Sequence, residues 1–190
     1  MRRMTRRIAG LEPGEWDGEA SGLVVRTFDG LAPEWHTRVS VERTAVVEDA
    51  VARGLDPLLG SHDLCVEVGS GLGNYTPLFT QRLETVLAVE LSWEMLMRAG
   101  RAGYRVHADA GRLPVRDGAV DVIVAINAFL FPDEVRRVLA PSGVLVWVNS
   151  SGEETPIHLT TDEVLRALGL DLEGYQSRAG AGTWAALRRR

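Results

Sequence analysis

The sequence predicts an α/β fold: a doubly wound, mostly parallel seven-stranded sheet whose last strand runs antiparallel. Two observations carry this. Short apolar runs rich in β-branched residues ("DLCVEVG", "TVLAVEL", "YRVHAD", "VDVIVAIN" and "GVLVWVN") each stop at a polar residue or glycine, as strands buried on both faces do. Helix-length segments separate them, and alternation of strand and helix implies right-handed crossovers onto one sheet.

Taken in chain order, residues 1 to 35 are rich in Gly, Glu and Trp and show no regular period. The basic start, "MRRMTRRIAG", lacks the apolar core of a signal peptide and is expected to fray. The rest of this segment, with Trp16, Phe28 and Trp35, is expected to act as a lid over a pocket. Residues 36–60 are predicted to hold a helix that ends near Gly54. Residues 62–150 form the α/β core, with helices over "NYTPLFTQRL", "SWEMLMRAGRAG" and "PDEVRRVLAPSG". The last of these has an acidic first turn, two arginines later, and "APSG" as a stop. Residues 151–190 add the helix "TTDEVLRALG", capped by Thr160 or Thr161 with Glu163 nearby, and two strands joined by "GAG". The whole, 1–190, is expected to be one domain.

Composition narrows the function. The chain is 45% hydrophobic and 25% charged, as ordinary globular proteins are. Its formal net charge is −5, which argues against a dedicated nucleic-acid surface. All 21 basic residues are arginine. No apolar run reaches the roughly 20 residues of a membrane span, so a cytoplasmic protein without membrane contact is expected. The single cysteine, Cys65, lies in the first strand and reads as a buried, inert thiol; no metal site is expected.

"VEVGSGLGNYT" follows the first strand directly. Its glycines are Gly69, Gly71 and Gly73, a G-x-G-x-G spacing where a dinucleotide site has G-x-G-x-x-G. Glu67 stands just before them, where it would repel pyrophosphate. The turn therefore suits a ligand with a positive end. Glu90, 17 residues beyond Gly73 at the end of the second strand, suits two ribose hydroxyls. Asp109, after the third, suits an exocyclic amine such as that of adenine. A cationic end, a ribose and an adenine without phosphates describe S-adenosylmethionine.

At these residues the sequence resembles the class I methyltransferases that use S-adenosylmethionine, in their Rossmann-like form. "VEVGSGLGNYT" is similar to their first motif and "AVELSWEML" to the acidic segment after the second strand. "HADAGRLPVRDGAVDVIVAINAFLF" and "VRRVLAPSGVLVWVN" are similar to the later ones, in the same order. The resemblance implies that Gly69, Ser70, Gly71 and Gly73 line the methionine end, with Glu67 near its ammonium. It implies that Glu90 holds the ribose, that Leu91 lies against adenine, and that Asp109 and the Ala110 N–H bind the adenine edge. Asn127 would face the sulfonium.

"FDGLAPEWHTR" is similar to a segment of quinone-biosynthesis and related small-molecule methyltransferases, with Trp35 and His36 in place of the usual Tyr and Asp. The implied activity is methyl transfer to a small-molecule acceptor, with no nucleic acid as partner; "NAFLF" stands where amino-methylating nucleic-acid enzymes often carry Asn-Pro-Pro-Tyr. Candidate bases are His36 and His158, the latter with Glu153 and Glu154 just ahead of it; His62 and His107 read as structural. The alternatives are a binding protein of this type without transfer activity, an aminopropyl transferase using a related sulfonium, and an NAD-dependent oxidoreductase.

Overall fold

The computed structural model describes residues 1–12, 14–60 and 64–190. Its seven strands are β1 (Leu64–Val68), β2 (Thr85–Glu90), β3 (Tyr104–His107), β4 (Val120–Ile126), β5 (Leu139–Asn149), β6 (Leu172–Ala179) and β7 (Gly182–Arg189). They form one sheet in the order β3-β2-β1-β4-β5-β7-β6. β1 to β5 are mutually parallel, and β7 runs antiparallel to both its neighbours. The order reverses between β1 and β4, which places a crevice beyond their carboxyl ends.

The helices are α1 (Arg2–Ile8), α2 (Gly18–Leu31), α3 (Val41–Asp49), α4 (Thr76–Thr80), α5 (Trp93–Arg98), α6 (Pro132–Val138) and α7 (Thr161–Leu168). Alternation along β4 shows why the sheet is covered on both faces. Ile123 and Ala125 belong to one apolar cluster with Trp147, Val164 and Leu168; Val122, Val124 and Ile126 belong to another with Cys65 and Phe79. Burial pushes the Cys65 thiol well up, so it is inert. No helix among the described residues is long and apolar enough to cross a membrane.

Local chemistry sets the ends of elements. Thr160 and Glu163 form a capping box at α7, and Gly169 closes that helix in the left-handed region at φ 59°. Two expected elements differ. The helix expected over 36–60 starts only at Val41, where the Ser40 hydroxyl accepts from the Arg43 N–H; Ala32–Arg38 form a tighter 3-10 turn opened by Pro33. Beyond Asp49 the chain continues as wider π-type turns through Leu55. The helix expected to run into "APSG" ends at Val138, because Leu139 already pairs with Val120; the register then jumps to Val122 opposite Val144, leaving residues 140–143 in a bulge.

The first dozen residues, expected to fray, are packed instead. Thr5 and Ala9 are 0% and 2% exposed, Ala9 within the main core. Arg6 pairs with Glu12 and with Glu163 of α7, and Arg2 donates to the Glu153 carbonyl. A third apolar cluster joins Met4, Ile8, Trp16, Val24 and Phe28 to Phe129, Phe131 and Ile157. Seven residues of helix are too few to stand alone, so packing decides here, not propensity. Deleting residues 1–12 should cost roughly 3 kcal/mol, from lost apolar burial and the Arg6–Glu163 pair. The check is thermal unfolding, with an expected drop of roughly 6–12 °C; an unchanged midpoint would mean that α1 contributes nothing.

Candidate functional site

The glycine turn is built to bring backbone close to a guest. Gly69, Gly71 and Gly73 have φ of 65°, 57° and 69°, a region that side chains disfavour. A Cβ on Gly71 would sit 3.4 Å from the Trp35 indole nitrogen, so the indole lies across the turn. The turn borders a cavity of about 350 Å³ over the carboxyl ends of β1 to β4. Nine of the ten residues expected to bind cofactor line it: Glu67, Gly69, Ser70, Gly71, Glu90, Leu91, Asp109, Ala110 and Asn127. Gly73 does not. Its missing side chain makes room for the Thr76 hydroxyl, which would lie 3.2 Å from a Cβ there.

Thr76 donates that hydroxyl to Glu67 Oε2 at 2.6 Å. Glu67 is 2% exposed and has no cationic partner among the described residues. Burial raises its carboxyl pKa to about 7, with the Thr76 bond opposing and the charge of Glu90 adding to the rise. Such a group is a poor anion until a cation arrives. In the glycine turn, the Ser70 hydroxyl is buried without a hydrogen-bond partner among the described residues. A buried acid and an orphaned hydroxyl at one end of a cavity fit a positively charged, hydrogen-bonding guest.

Glu90 accepts from the Gly71 N–H through Oε2 and from the Ser92 N–H through Oε1, each at 2.8 Å. Burial raises its pKa, and the backbone bonds oppose that. Two of the roughly four lone-pair sites of a carboxylate are thereby used, leaving the others for a diol. Asp109 accepts from the Gly111 N–H at 2.7 Å and from the Trp16 indole at 2.8 Å. Trp16 stands edge-on to Phe131, with ring centres 5.2 Å apart. The N-terminal segment thus reaches the end of the cavity where an adenine edge was expected.

Asn127 lines the cavity with its side chain already engaged, and the two candidate histidines lie off it. Asn127 has the sole positive φ (51°) among the described non-glycine residues. Its side chain is engaged twice by Ser150, donating to the hydroxyl and accepting from the N–H, both at 2.8 Å. It locks the ends of β4 and β5 together. His36 is exposed and His158 half-buried, and neither lines the cavity; desolvation lowers the His158 pKa. Glu154 lines it and Glu153 does not. His107 contacts the Leu91 carbonyl at 3.0 Å and the edge of Trp93; His62 lies outside the described residues. Sequence reasoning missed Asp29, Arg38, Arg43 and Tyr75, all grouped around the same cavity or its rim. Asp29, Arg38 and Tyr75 lie inside the quoted segments "FDGLAPEWHTR" and "VEVGSGLGNYT" without having been singled out there, whereas Arg43 is brought to the cavity only by the packing of the N-terminal part of the chain.

Comparison with known proteins fits this geometry. Residues 66–147 match the family model described as a methyltransferase domain. A protein of Micromonospora griseorubida, bearing the provisional name 23S rRNA (guanine-N(1)-)-methyltransferase, is 37% identical over 165 residues, covering 80% of this chain and 54% of its own length. The 23S rRNA (guanine(748)-N(1))-methyltransferase of Streptomyces fradiae is 32% identical over 117 residues, covering 58% of this chain and 40% of its own. The chain thus spans about half the length of these relatives. Among solved structures, an S-adenosylmethionine-dependent methyltransferase of Thermotoga maritima superposes with a TM-score of 0.64 at 18% identity, covering 86% of this chain and 98% of that one.

The names of these relatives, both 23S rRNA methyltransferases, contradict the expectation that no nucleic acid is a partner. Net charge sums the whole surface and says little about a local patch. Arg3 and Arg7 are exposed on one face of α1 despite the overall acidity.

One prediction concerns Glu67 alone. Its folded pKa of about 7 lies above the unfolded value near 4.5, so the folded state holds the proton more tightly. Stability should therefore fall as pH rises between those values, by roughly 3 kcal/mol in all. Glu67→Gln keeps an acceptor for Thr76 and lacks that decline. Denaturant unfolding of both proteins from about pH 4 to about pH 8 should show curves that converge at low pH and separate above neutrality, the variant being more stable. Parallel curves would refute the assignment.

Proposed function

We propose that this chain, whose residues 66–147 match a methyltransferase domain, is a class I, S-adenosylmethionine-dependent methyltransferase and that it methylates a nucleobase of RNA. The observation that carries the cofactor half is the row of Glu67, Glu90 and Asp109 along one cavity, beyond three adjacent strands. The names of the relatives support the acceptor half. Bound there, the cofactor would supply a methyl on a positively charged sulfur that departs as a neutral thioether, and an acceptor nitrogen would pass its proton to solvent as the new N–C bond forms.

By this reading each protein group has a separable task. Glu67 holds the ammonium, and the arriving charge stabilises its ionised form. Glu90, fixed by two backbone amides, accepts from the ribose hydroxyls. Asp109 holds the adenine amine on the lone pairs that Gly111 and Trp16 leave free. The glycine turn lets the methionine end lie against backbone. Asn127 and Ser150 fix the strand ends that flank the reacting centre. Because the leaving group departs neutral, much of the protein's contribution is alignment and exclusion of water. α2, the 3-10 turn and the loop after β5 supply that enclosure with Val24, Phe28, Trp35 and Ile157. His36 and His158 take no part in this mechanism.

Two measurements test the proposal. Glu90→Ala should weaken binding of S-adenosylhomocysteine by roughly 1.5–3 kcal/mol, as for charge-assisted hydrogen bonds. Calorimetry reads this directly, and undiminished affinity in a folded variant removes Glu90 from the ribose site. For the acceptor, the protein is incubated with methyl-labelled cofactor and unmodified 23S rRNA, followed by digestion and nucleoside mass spectrometry. Label in a methylated guanosine is expected. Tight cofactor binding with no label in any nucleoside would sink the RNA reading and leave the cofactor reading standing.

A further inference from the structure

Four carboxylates line the cavity among the described residues, and three of them, Glu67, Glu90 and Asp109, are matched to the cofactor. The fourth is Glu154, on the short turn Gly152–Glu154 after β5. Sheet order separates it from the others. β1, β2 and β3 lie on one side of β4 and β5 on the other, so Glu154 stands across β4 from all three acids. In-line displacement puts an acceptor on the side of the methyl away from the sulfur, which here is the β5 side.

The turn that carries Glu154 is held firmly. Asn127 grips Ser150 by two bonds, the Ser151 N–H donates to the Thr155 hydroxyl at 3.2 Å, and the Glu154 N–H donates to the Ser151 carbonyl at 3.1 Å. Gly152 has φ 52°, and a Cβ there would lie 2.3 Å from the Ala181 carbonyl oxygen, so the turn is seated against the link between β6 and β7. Glu154 itself is exposed and makes no ion pair among the described residues. Arg2, which donates to the Glu153 carbonyl, and Arg38, Arg43 and the Met1 terminus, which share the cavity lining, are the other charged groups of this rim. Ile157, three residues on, packs with Val24 and Phe129, and Phe28 lies against them. An acid on a fixed turn beside an apolar, aromatic wall suits a planar ring that presents hydrogen-bond donors.

We propose that Glu154 reads the Watson–Crick edge of guanine and takes its N1 proton. This rests on the RNA reading above and names the base. Guanine alone among the four bases presents two adjacent donors there, N1–H and the 2-amino group, which the two oxygens of a carboxylate can accept together. Adenine, cytosine and uracil set an acceptor beside each donor, and a carboxylate repels it. In the transfer, the N1–H bond breaks toward Glu154 and its electron pair forms the N1–CH3 bond, while the pair of the breaking S–CH3 bond stays on sulfur. Being exposed, Glu154 then hands the proton to solvent.

The test follows methylation of unmodified 23S rRNA by the wild type, E154Q and E154D, with S-adenosylhomocysteine affinity measured by calorimetry in parallel. E154Q should lose about a hundredfold in turnover or more, as on removal of a general base, while its S-adenosylhomocysteine affinity stays within about threefold of wild type. E154D keeps the carboxylate and should recover part of the rate. The residual rate of E154Q should climb about tenfold per pH unit from about pH 6 to about pH 8.5, because guanine N1 must then ionise unaided, and the wild type should rise less steeply. Full turnover in E154Q overturns the assignment, and so does a loss that leaves the wild-type pH profile. Parallel loss of S-adenosylhomocysteine binding overturns it as well, because Glu154 then serves the cofactor. Label from the wild type on another base, or on guanine away from N1, overturns it and leaves the RNA reading standing. Label in no nucleoside defeats the RNA reading itself, a failure visible before any variant is made.

Discussion

The carboxylate of Glu90 fixes the position of nearly everything around the cavity. One oxygen takes the N–H of Gly71 and so holds the turn after β1; the other takes the N–H of Ser92 and so holds the start of α5. Ser92 then extends the connection. Its hydroxyl accepts from Met95 to cap α5 and donates to Asp29 of α2, which also accepts from the Glu94 N–H. A single buried acid thus joins two strands, a helix N-terminus and the N-terminal segment through short bonds. A charge this buried is tolerable only when several donors converge on it, which is why its neighbours have so little freedom.

The N-terminal segment gains its order from this and similar contacts. Trp16 reaches Asp109, α1 reaches α7, and α2 reaches α5, each through a polar contact set beside apolar packing. None of these is local in sequence. The segment lies over the cavity because its polar groups find partners on the rim, and the apolar residues between them fill the space that remains.

That explains what the sequence disclosed and what it concealed. β1, β2 and β4 were legible because consecutive residues carry their signal: β-branched runs, buried on both faces, bounded by polar residues. Glu67, Glu90 and Asp109 were legible because strand ends place them and their type is unusual beside a glycine turn. The cap at Ser92 and the box at Thr160 are local chemistry and could be read directly. α1 was not legible, since a seven-residue basic helix is held by tertiary contacts with no local signature. The bulge after α6 was hidden because "APSG" serves a helix stop and an irregular strand equally well. Arg38 and Arg43 were hidden because a cation in a surface-like sequence context declares nothing until the fold brings it over a glycine turn. Net charge is a poor guide to partners for a related reason: it averages over position, and recognition does not.

The state of Glu67 has a calorimetric consequence. At neutral pH a carboxyl with a pKa of about 7 is roughly half protonated before any guest arrives. A cation settling beside it favours the ionised form, so binding must expel a fraction of a proton into the medium. The heat recorded at neutral pH then contains the enthalpy of protonating the buffer. Titrations in phosphate and in Tris should disagree by an amount proportional to the protons released, and that disagreement should vanish well above neutrality.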